Sequence, residues 1–271
     1  LNPVIRAVTK TAIMKYGLEV VGIKHGYRGL YLGGDEFVSL TLDKVEEILS
    51  KGGTILYSSN KDNLFDYTYE DENGNTCHGD VSDVGVENLR KAGIDALVVI
   101  GGDGSFQGAK VLTTLFGVKT IGIPGTIDND LAYTSFTLGF DTAVTVVVDT
   151  IKMLRDTMSC NDRSCVVEVM GRRCGDIAMY GGLTAGAEVI MTPEMPMSID
   201  EVVEVLKRNE AVGKYDNIIV VAEGVGHAEQ VRAEIEARMP EINLRSMVVG
   251  HIQRGGDTTF QDRLLGIRMG A

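Results

Sequence analysis

Short apolar runs rich in β-branched residues recur along the chain, and they constrain its fold more than any other feature. They are VVGI (20–23), TILY (54–57), ALVVI (96–100), TIGI (120–123), CVVEV (165–169), EVIM (188–191), NIIVVA (217–222) and SMVVG (246–250). Most are continuous rather than alternating, which is the pattern of strands buried on both faces. Segments with helical periodicity lie between them, and Ser198 with Glu201 forms a capping-box signature. This alternation predicts an α/β protein with mostly parallel sheets.

Eight strands indicate two sheets, and therefore two lobes with a cleft between them. We predict that residues 1–139, joined by 254–271, form the first lobe and that 140–253 form the second. Each lobe is expected to be a mostly parallel sheet between helices, with ligands bound beyond the carboxyl ends of the strands. The polar segment 60–83, with a turn signal at Asn73-Gly74, is predicted to be a surface insertion.

Charge and composition exclude several classes of function. Lys and Arg number 26 against 38 Asp and Glu, for a net charge of −12, which argues against nonspecific nucleic-acid binding. No apolar run approaches the roughly 20 residues needed to cross a bilayer, so no membrane span is expected. Four cysteines without a C-x-x-C pair predict reduced thiols in a cytoplasmic protein. Any anionic ligand must then be held by local clusters of positive charge.

The stretch ALVVIGGDGSFQGAKVL (96–112) predicts a strand, a glycine loop and the start of a helix. Glycines let the backbone approach a ligand closely, and free N–H groups at a helix start attract phosphate. The carboxylate of Asp103 would repel that phosphate unless Mg²⁺ lay between them, an arrangement common for this ion. A tight Asp-Gly turn closing a hairpin is the alternative.

The motif PGTIDND places Asp128 and Asp130 directly after another strand. In an extended segment, two residues that are two apart face the same side. One carboxylate could accept a proton from a hydroxyl nucleophile, while the other helps to hold the metal or its waters. The alternative is an Asx-turn loop whose carboxylates are solvated.

Several cationic side chains follow strands in the second half of the chain. Arginine forks match phosphate oxygens in two-point contacts, so their joint placement favours a phosphate site, although any one of them alone could be a surface ion-pair partner. Glu223 ends the strand of NIIVVAEG and suits either sugar hydroxyls or the capping of a helix. The cationic set is Arg163, Arg172, Arg173, Arg245 and Arg254, with His251.

At these residues the chain closely resembles the 6-phosphofructokinases. The motifs GGDGS, PGTIDND, MGR, AEG, GHIQRGG and DRLLGIRMG occur in that family's order, and the resemblance covers nearly the whole chain. It implies the Rossmann-like phosphofructokinase fold, with a nucleotide-binding first lobe and a sugar-phosphate-binding second lobe. The implied reaction transfers the γ-phosphoryl of Mg-ATP to the 1-hydroxyl of fructose 6-phosphate, in glycolysis, by a homotetramer or homodimer.

The resemblance also assigns roles to individual residues. Asp128 would be the base that takes the 1-hydroxyl proton, supported by Thr126 and Asp130, and Arg172 would steady the moving phosphoryl group. ATP and Mg²⁺ would bind at Gly102, Asp103, Gly104 and Ser105, with Asp103 on the metal. The sugar would be held by Met170, Gly171, Arg172 and Glu223, and its 6-phosphate by Arg163, Arg245, His251 and Arg254, of which the first two reach in from a neighbouring subunit in that family.

One position departs from the family pattern. Asn60 stands where ATP-dependent bacterial members usually place an arginine that touches the donor phosphates, and Lys61 could substitute only as a point charge. The resemblance further implies a nucleotide or metabolite effector at a basic subunit interface. The matching positions are Arg6, Lys10, Lys51, Arg155 and Lys214, with Glu188.

Three alternative functions stay open. Pyrophosphate-dependent relatives tend to carry aspartate and lysine where this chain has Gly104 and Gly125, so the sequence favours ATP as the donor. A non-catalytic regulatory subunit would bind sugar phosphate without turnover, but it would not need the predicted base and metal ligand, Asp128 and Asp103. Another GGDG kinase, of the NAD or lipid type, would share only the first motif.

Overall fold

The computed structural model describes residues 1–59, 62–70 and 74–271. It divides into two units: residues 1–125 with 260–271, and residues 126–259. Among the described helices, none combines the length and the apolar character needed to cross a bilayer.

The second unit contains one four-stranded parallel sheet between helices. Its strand order is β10 (Leu244–Val248), β7 (Ser164–Val169), β9 (Ile218–Ala222) and β8 (Val189–Met191). Every residue of β7 and β9 is buried, which agrees with their mostly apolar sequences. Valine and isoleucine side chains fill a core on each face of this sheet. The elements are α5 (Phe140–Ser159), β7 (Ser164–Val169), α6 (Asp176–Thr184), β8 (Val189–Met191), α7 (Ile199–Ala211), β9 (Ile218–Ala222), α8 (Ala228–Arg238) and β10 (Leu244–Val248).

The predicted capping box at the start of α7 is confirmed. The Ser198 hydroxyl accepts a hydrogen bond from the Glu201 backbone N–H at 3.3 Å, and a Glu201 carboxylate oxygen accepts from the Ser198 N–H at 2.7 Å. These two bonds satisfy N–H groups that have no partner within the helix.

The first unit combines one parallel strand pair with antiparallel pairs. Strands β5 (Leu97–Gly101) and β6 (Thr120–Pro124) are parallel. Strand β1 (Val20–Ile23) pairs antiparallel with β2 (Phe37–Leu40), and β3 (Tyr67–Glu70) pairs antiparallel with β4 (Thr76–Gly79). The elements are α1 (Asn2–Tyr16), β1 (Val20–Ile23), α2 (Tyr27–Leu32), β2 (Phe37–Leu40), β3 (Tyr67–Glu70), β4 (Thr76–Gly79), α3 (Ser82–Lys91), β5 (Leu97–Gly101), α4 (Asp103–Phe116), β6 (Thr120–Pro124) and α9 (Phe260–Gly270).

The predicted α/β class is confirmed, with parallel sheets flanked by helices, and two details of the prediction are wrong. The run TILY (54–57) is a turn, in which the Leu56 N–H donates to the Thr54 hydroxyl at 3.1 Å and Tyr57 has a φ of 58°. Among the described residues, the first unit also has two antiparallel strand pairs and one parallel pair rather than a mostly parallel sheet, and the run at Val20–Ile23 pairs antiparallel with Phe37–Leu40. The segment 60–83, predicted to be a surface insertion, contains the β3–β4 hairpin and contributes buried side chains, Leu64, Tyr67 and Val81, to a hydrophobic core. Its Asn73 lies outside the described residues.

The boundary between the units differs from the predicted one at 139 and 253. Residues 126–139 belong to the second unit because their side chains bond to it and to one another. The Asn129 amide donates to Asp176 at 2.7 Å, and the Thr137 hydroxyl donates to the Thr126 carbonyl at 2.6 Å. Residues 254–259 also belong there, and the Thr259 hydroxyl donates to Asp141.

Candidate active site

The glycine loop of the first unit connects β5 to α4. Gly102 is extended, with φ −92° and ψ −163°, and the helix begins at the next residue, so the hairpin alternative is wrong. A Cβ added at Gly101 would lie 2.3 Å from the Ser105 hydroxyl oxygen, whereas one added at Gly104 would meet no atom within 4 Å. The loop therefore folds tightly on one side and leaves open space beside the first N–H groups of α4. Such N–H groups bind phosphate readily.

Asp103 lies in the first turn of α4, where one of its carboxylate oxygens accepts a hydrogen bond from the Gln107 side-chain amide at 2.6 Å. No group of three or more His, Cys, Asp or Glu side chains suited to a metal ion occurs within the described ranges. A lone carboxylate beside a phosphate-binding helix start matches the chemistry of Mg²⁺, which takes one or two carboxylates and completes its shell with phosphate oxygens and water. The residues present therefore fit a magnesium–phosphate ligand.

Tyr27 supports this loop, and sequence reasoning did not find it. Its hydroxyl donates to the Ser105 carbonyl at 2.5 Å, and a Cβ at Gly108 would lie 2.7 Å from its ring. Burial raises the pKa of Tyr27 to about 12, so the hydroxyl stays protonated and donates at neutral pH. The predicted donor contacts Asn60 and Lys61 lie outside the described residues.

The loop after β6 turns Asp128 inward and leaves Asp130 exposed. Asp128 is only 8% exposed, and its backbone N–H donates to the Thr126 hydroxyl at 3.2 Å. The residue between the aspartates, Asn129, has a φ of 56°. The expectation that an extended segment points both aspartates to the same side is therefore wrong, because a left-handed residue between them reverses the alternation.

The electrostatic surroundings of Asp128 suit a proton acceptor. Burial raises the pKa of its carboxyl above the ordinary value. The Arg172 guanidinium, whose Nε lies 3.3 Å from Asp128 Oδ2, opposes that rise because its positive charge favours the ionised carboxylate. The negative charges of Asp130 and Glu223 add to the raised pKa, and the charge of Arg254 lowers it. A carboxylate with a raised pKa accepts a proton more readily than a solvated one.

The Arg172 loop is held by Glu223. One Glu223 carboxylate oxygen accepts from the Gly171 N–H at 3.2 Å and from the Arg172 N–H at 2.7 Å. Arg172 has a φ of 53°, and a Cβ at Gly171 would lie 2.4 Å from the Cys174 carbonyl oxygen, so this turn is tight. The carboxylate that bonds the start of α8 is Glu168, which accepts from the Ala228 N–H at 2.8 Å. The helix-capping alternative for Glu223 is thus not what the structure describes.

Gln253 is a second residue that sequence reasoning missed. Its side chain is buried, its carbonyl oxygen accepts from the Met170 N–H at 3.3 Å, and its amide donates to the Gly250 carbonyl at 3.1 Å. It thereby fastens the turn that carries the exposed His251 and Arg254 to the start of the Arg172 loop. Its position within HIQRGG was the available signal, but the contact partner is 83 residues away in the sequence.

Arg163 and Arg245 lie at the amino ends of two parallel strands, whereas Arg172 and Arg254 lie beyond their carboxyl ends. Arg163 precedes β7 and Arg245 is the second residue of the neighbouring β10, whereas the other two follow the carboxyl ends of these strands. A six-residue strand spans about 20 Å. Arg163 Nε is buried and has no hydrogen-bond partner within the described residues. A single chain does not bring the four predicted phosphate ligands together, and their supply by a neighbouring subunit stays a prediction.

Residues of the predicted effector site are engaged within each unit. The Glu188 carboxylate contacts Arg155 at 3.3 Å and Lys214 at 2.5 Å in the second unit. In the first unit, Lys10 lies 3.8 Å from Glu46. An effector site stays a prediction.

Comparison with known proteins identifies the family. The family model described as phosphofructokinase matches residues 1–271, so the chain belongs to the phosphofructokinase family. It is 48% identical over 293 residues to "ATP-dependent 6-phosphofructokinase 2" of Clostridium perfringens and 48% identical over 270 residues to the ATP-dependent 6-phosphofructokinase of Paenibacillus macquariensis, covering all of this chain and 79% of each relative.

Solved structures agree with this assignment. Phosphofructokinase from Saccharomyces cerevisiae superimposes with a TM-score of 0.84 at 29% identity, and the match covers 99% of this chain and 38% of the yeast chain. A pyrophosphate-dependent phosphofructokinase from Marinobacter aquaeolei superimposes with a TM-score of 0.78 at 22% identity, covering 99% of this chain and 70% of that chain. The second likeness concerns the fold alone.

Proposed function

We propose that this chain transfers the γ-phosphoryl group of Mg-ATP to the 1-hydroxyl of fructose 6-phosphate, giving fructose 1,6-bisphosphate, in the cytoplasm. The observation that carries the proposal is the buried carboxylate of Asp128, whose Oδ2 lies 3.3 Å from the Arg172 guanidinium. The family's curated members of about 48% identity are named ATP-dependent 6-phosphofructokinases, which supports ATP as the donor. The open space at Gly104 also leaves room for the donor phosphates.

The first unit would hold the donor. The backbone N–H groups at the start of α4 would bind phosphate oxygens, and Asp103, fixed by Gln107, would hold Mg²⁺. When bound, Mg²⁺ neutralises phosphate charge that would otherwise oppose the approach of a nucleophile. Tyr27 keeps the Ser105 carbonyl in place and so maintains the shape of the loop.

The second unit would hold and activate the acceptor sugar. Asp128 would accept the proton of the 1-hydroxyl as the hydroxyl oxygen attacks the γ-phosphorus and ADP leaves, and Arg172 would stabilise the charge on the transferred phosphoryl group. Thr126 accepts the Asp128 N–H and thus shapes the loop, while Asp130 contributes negative charge that raises the pKa of Asp128. Phosphoryl transfer depends mainly on such positioning and electrostatics rather than on covalent chemistry.

The sugar and its 6-phosphate would be recognised beyond the carboxyl ends of the second unit's strands. Met170, Gly171 and Glu223 would contact the sugar, and His251 and Arg254 the phosphate. Arg163 and Arg245 would serve the same phosphate from a second copy of the chain, as a homodimer or homotetramer allows.

A parallel assay tests the proposal. The protein is incubated with fructose 6-phosphate and Mg²⁺, with either ATP or pyrophosphate, and fructose 1,6-bisphosphate is measured. We expect product with ATP and little with pyrophosphate. Product with pyrophosphate alone would assign the other donor, and sugar-phosphate binding without turnover would assign a regulatory subunit.

Replacing Arg254 by alanine is expected mainly to raise the KM for fructose 6-phosphate. A bidentate charged hydrogen bond to phosphate contributes about 1.5–3 kcal/mol, so KM should rise roughly 10- to 100-fold while the KM for ATP stays unchanged. Steady-state kinetics with each substrate varied in turn provide the measurement. An unchanged KM for the sugar phosphate would remove Arg254 from the phosphate site.

A further inference from the structure

Asn129 occupies the position between the two aspartates, and none of the roles given above uses its side chain. We propose that Asn129 is a positioning residue, which directs Asp128 rather than Asp130 toward Arg172 and which does so through a hydrogen bond to Asp176. This inference rests on the proposed function, because it concerns the alignment of the proposed base.

The backbone of Asn129 determines which aspartate is buried. With a φ of 56°, Asn129 lies in the left-handed region, which asparagine tolerates better than most residues. In an extended segment both aspartates would face one side. The left-handed residue breaks this alternation. As a result Asp128 is buried, with only 8% of its surface exposed, whereas Asp130 lies on the surface.

The side chain of Asn129 holds this conformation with bonds at both ends. Its carbonyl oxygen accepts from the Thr137 backbone N–H at 2.9 Å, and its amide donates to Asp176 Oδ2 at 2.7 Å. Thr137 is fully buried and donates its hydroxyl to the Thr126 carbonyl, which closes the loop on itself. The donor and the acceptor of the carboxamide are therefore both used.

The bond to Asp176 reaches the segment that carries Arg172. Asp176 is the first residue of α6, directly after the tight turn that begins at Gly171. The same turn is braced by the Gly175 N–H, which donates to Glu194 at 2.8 Å. The amide of Asn129 thus links the loop of the base to the loop of its guanidinium partner. A shift of this link would move Asp128 relative to Arg172 and so change the distance between Asp128 Oδ2 and Arg172 Nε, which is 3.3 Å.

Exchanging the side chains of Asn129 and Asp176 would reverse the direction of the hydrogen bond between them. Asn129→Asp keeps an acceptor for the Thr137 N–H but places two carboxylates together, because an ionised carboxylate has no donor. A misplacement of about 1 Å can cost about 10²-fold, so we expect kcat to fall by about that factor with both KM values unchanged. In the double variant Asn129→Asp with Asp176→Asn, the amide at 176 donates to the carboxylate at 129. We expect its kcat to return to within about 10-fold of the wild type.

Three control variants separate positioning from stability. Asp176→Asn alone keeps an acceptor oxygen for Asn129 and should leave kcat within about 3-fold of the wild type. Asn129→Gly adopts the left-handed backbone freely but loses every hydrogen bond of the Asn129 side chain, so its kcat should fall as that of Asn129→Asp does. Asn209→Asp removes a comparable bond, from the Asn209 amide to Asn217 at 2.6 Å, at the amino end of β9. It should lower Tm by a few degrees without changing kcat.

The outcomes distinguish this inference from the proposed function. If the wild type makes fructose 1,6-bisphosphate and the double variant recovers as expected, Asn129 acts by position. An active wild type, with a double variant as slow as Asn129→Asp or with Asn129→Asp as fast as the wild type, would overturn the positioning role alone. A wild type inactive with both donors would remove the proposed function, and the positioning role with it.

Discussion

Replacing Asp128 by serine is expected to lower kcat by roughly 10²–10⁴-fold, the usual contribution of a positioned general base. Serine fits the same loop but cannot take a proton from the 1-hydroxyl at neutral pH. The groups that would bind the 6-phosphate are elsewhere, so the KM for fructose 6-phosphate should change little. Burial raises the pKa of Asp128, and therefore its charge is unfavourable for folding. The variant should accordingly be no less stable than the wild type in thermal unfolding.

Asp130→Ser is the matched control for that experiment. Asp130 is exposed and two residues from Asp128, so the same substitution there should lower kcat by far less. Steady-state kinetics and a melting curve of each variant provide the comparison. A wild-type kcat in Asp128→Ser would remove this residue from the role of the base, and equal losses in both variants would mean that the loop carries the chemistry without distinguishing its two carboxylates.

The fold was predictable where burial on both faces leaves a continuous apolar run. Ser164–Val169 and Ile218–Ala222 are entirely buried strands, and their composition alone indicates this. The same rule failed at residues 54–57, where an apolar run is a turn, because a short apolar run does not specify its backbone conformation. The strand at Phe37–Leu40 was not predicted, and it pairs antiparallel with Val20–Ile23 in a two-stranded sheet of its own.

The sequence indicated candidate site residues, but it did not indicate their contacts. Glycine loops, aspartates and arginines after strands could be found by position in the sequence. Glu223 accepts a hydrogen bond from the Arg172 N–H, 51 positions away in the sequence. Gln253 accepts one from the Met170 N–H, 83 positions away. Sequence spacing carries no information on such contacts. The side to which Asp128 points depended on one dihedral angle, that of Asn129, which the assumption of an extended segment had set wrongly.

Replacing Arg172 by alanine is expected to lower kcat by about 10³-fold or more, the effect of losing an arginine that stabilises phosphoryl transfer. The variant should also change the pH dependence of kcat/KM. Burial raises the pKa of Asp128 and Arg172 lowers it, so removal of Arg172 leaves that pKa higher still. The base acts only when ionised. The acid limb of the profile, where activity falls as Asp128 gains a proton, should therefore move to higher pH.

Arg173→Ala is the matched control, because Arg173 is the next residue along the same loop and is also exposed. It should change kcat by no more than a few-fold and leave the acid limb of the pH profile in place. Arg172→Lys keeps the positive charge but not the fork, so it should restore the acid limb more fully than the rate. This separation distinguishes the two proposed effects of Arg172, since its charge would act on Asp128 and its planar donor pair would act on the phosphoryl oxygens. An acid limb that stays in place in Arg172→Ala would mean that Arg172 does not control the charge of Asp128, whatever happens to kcat.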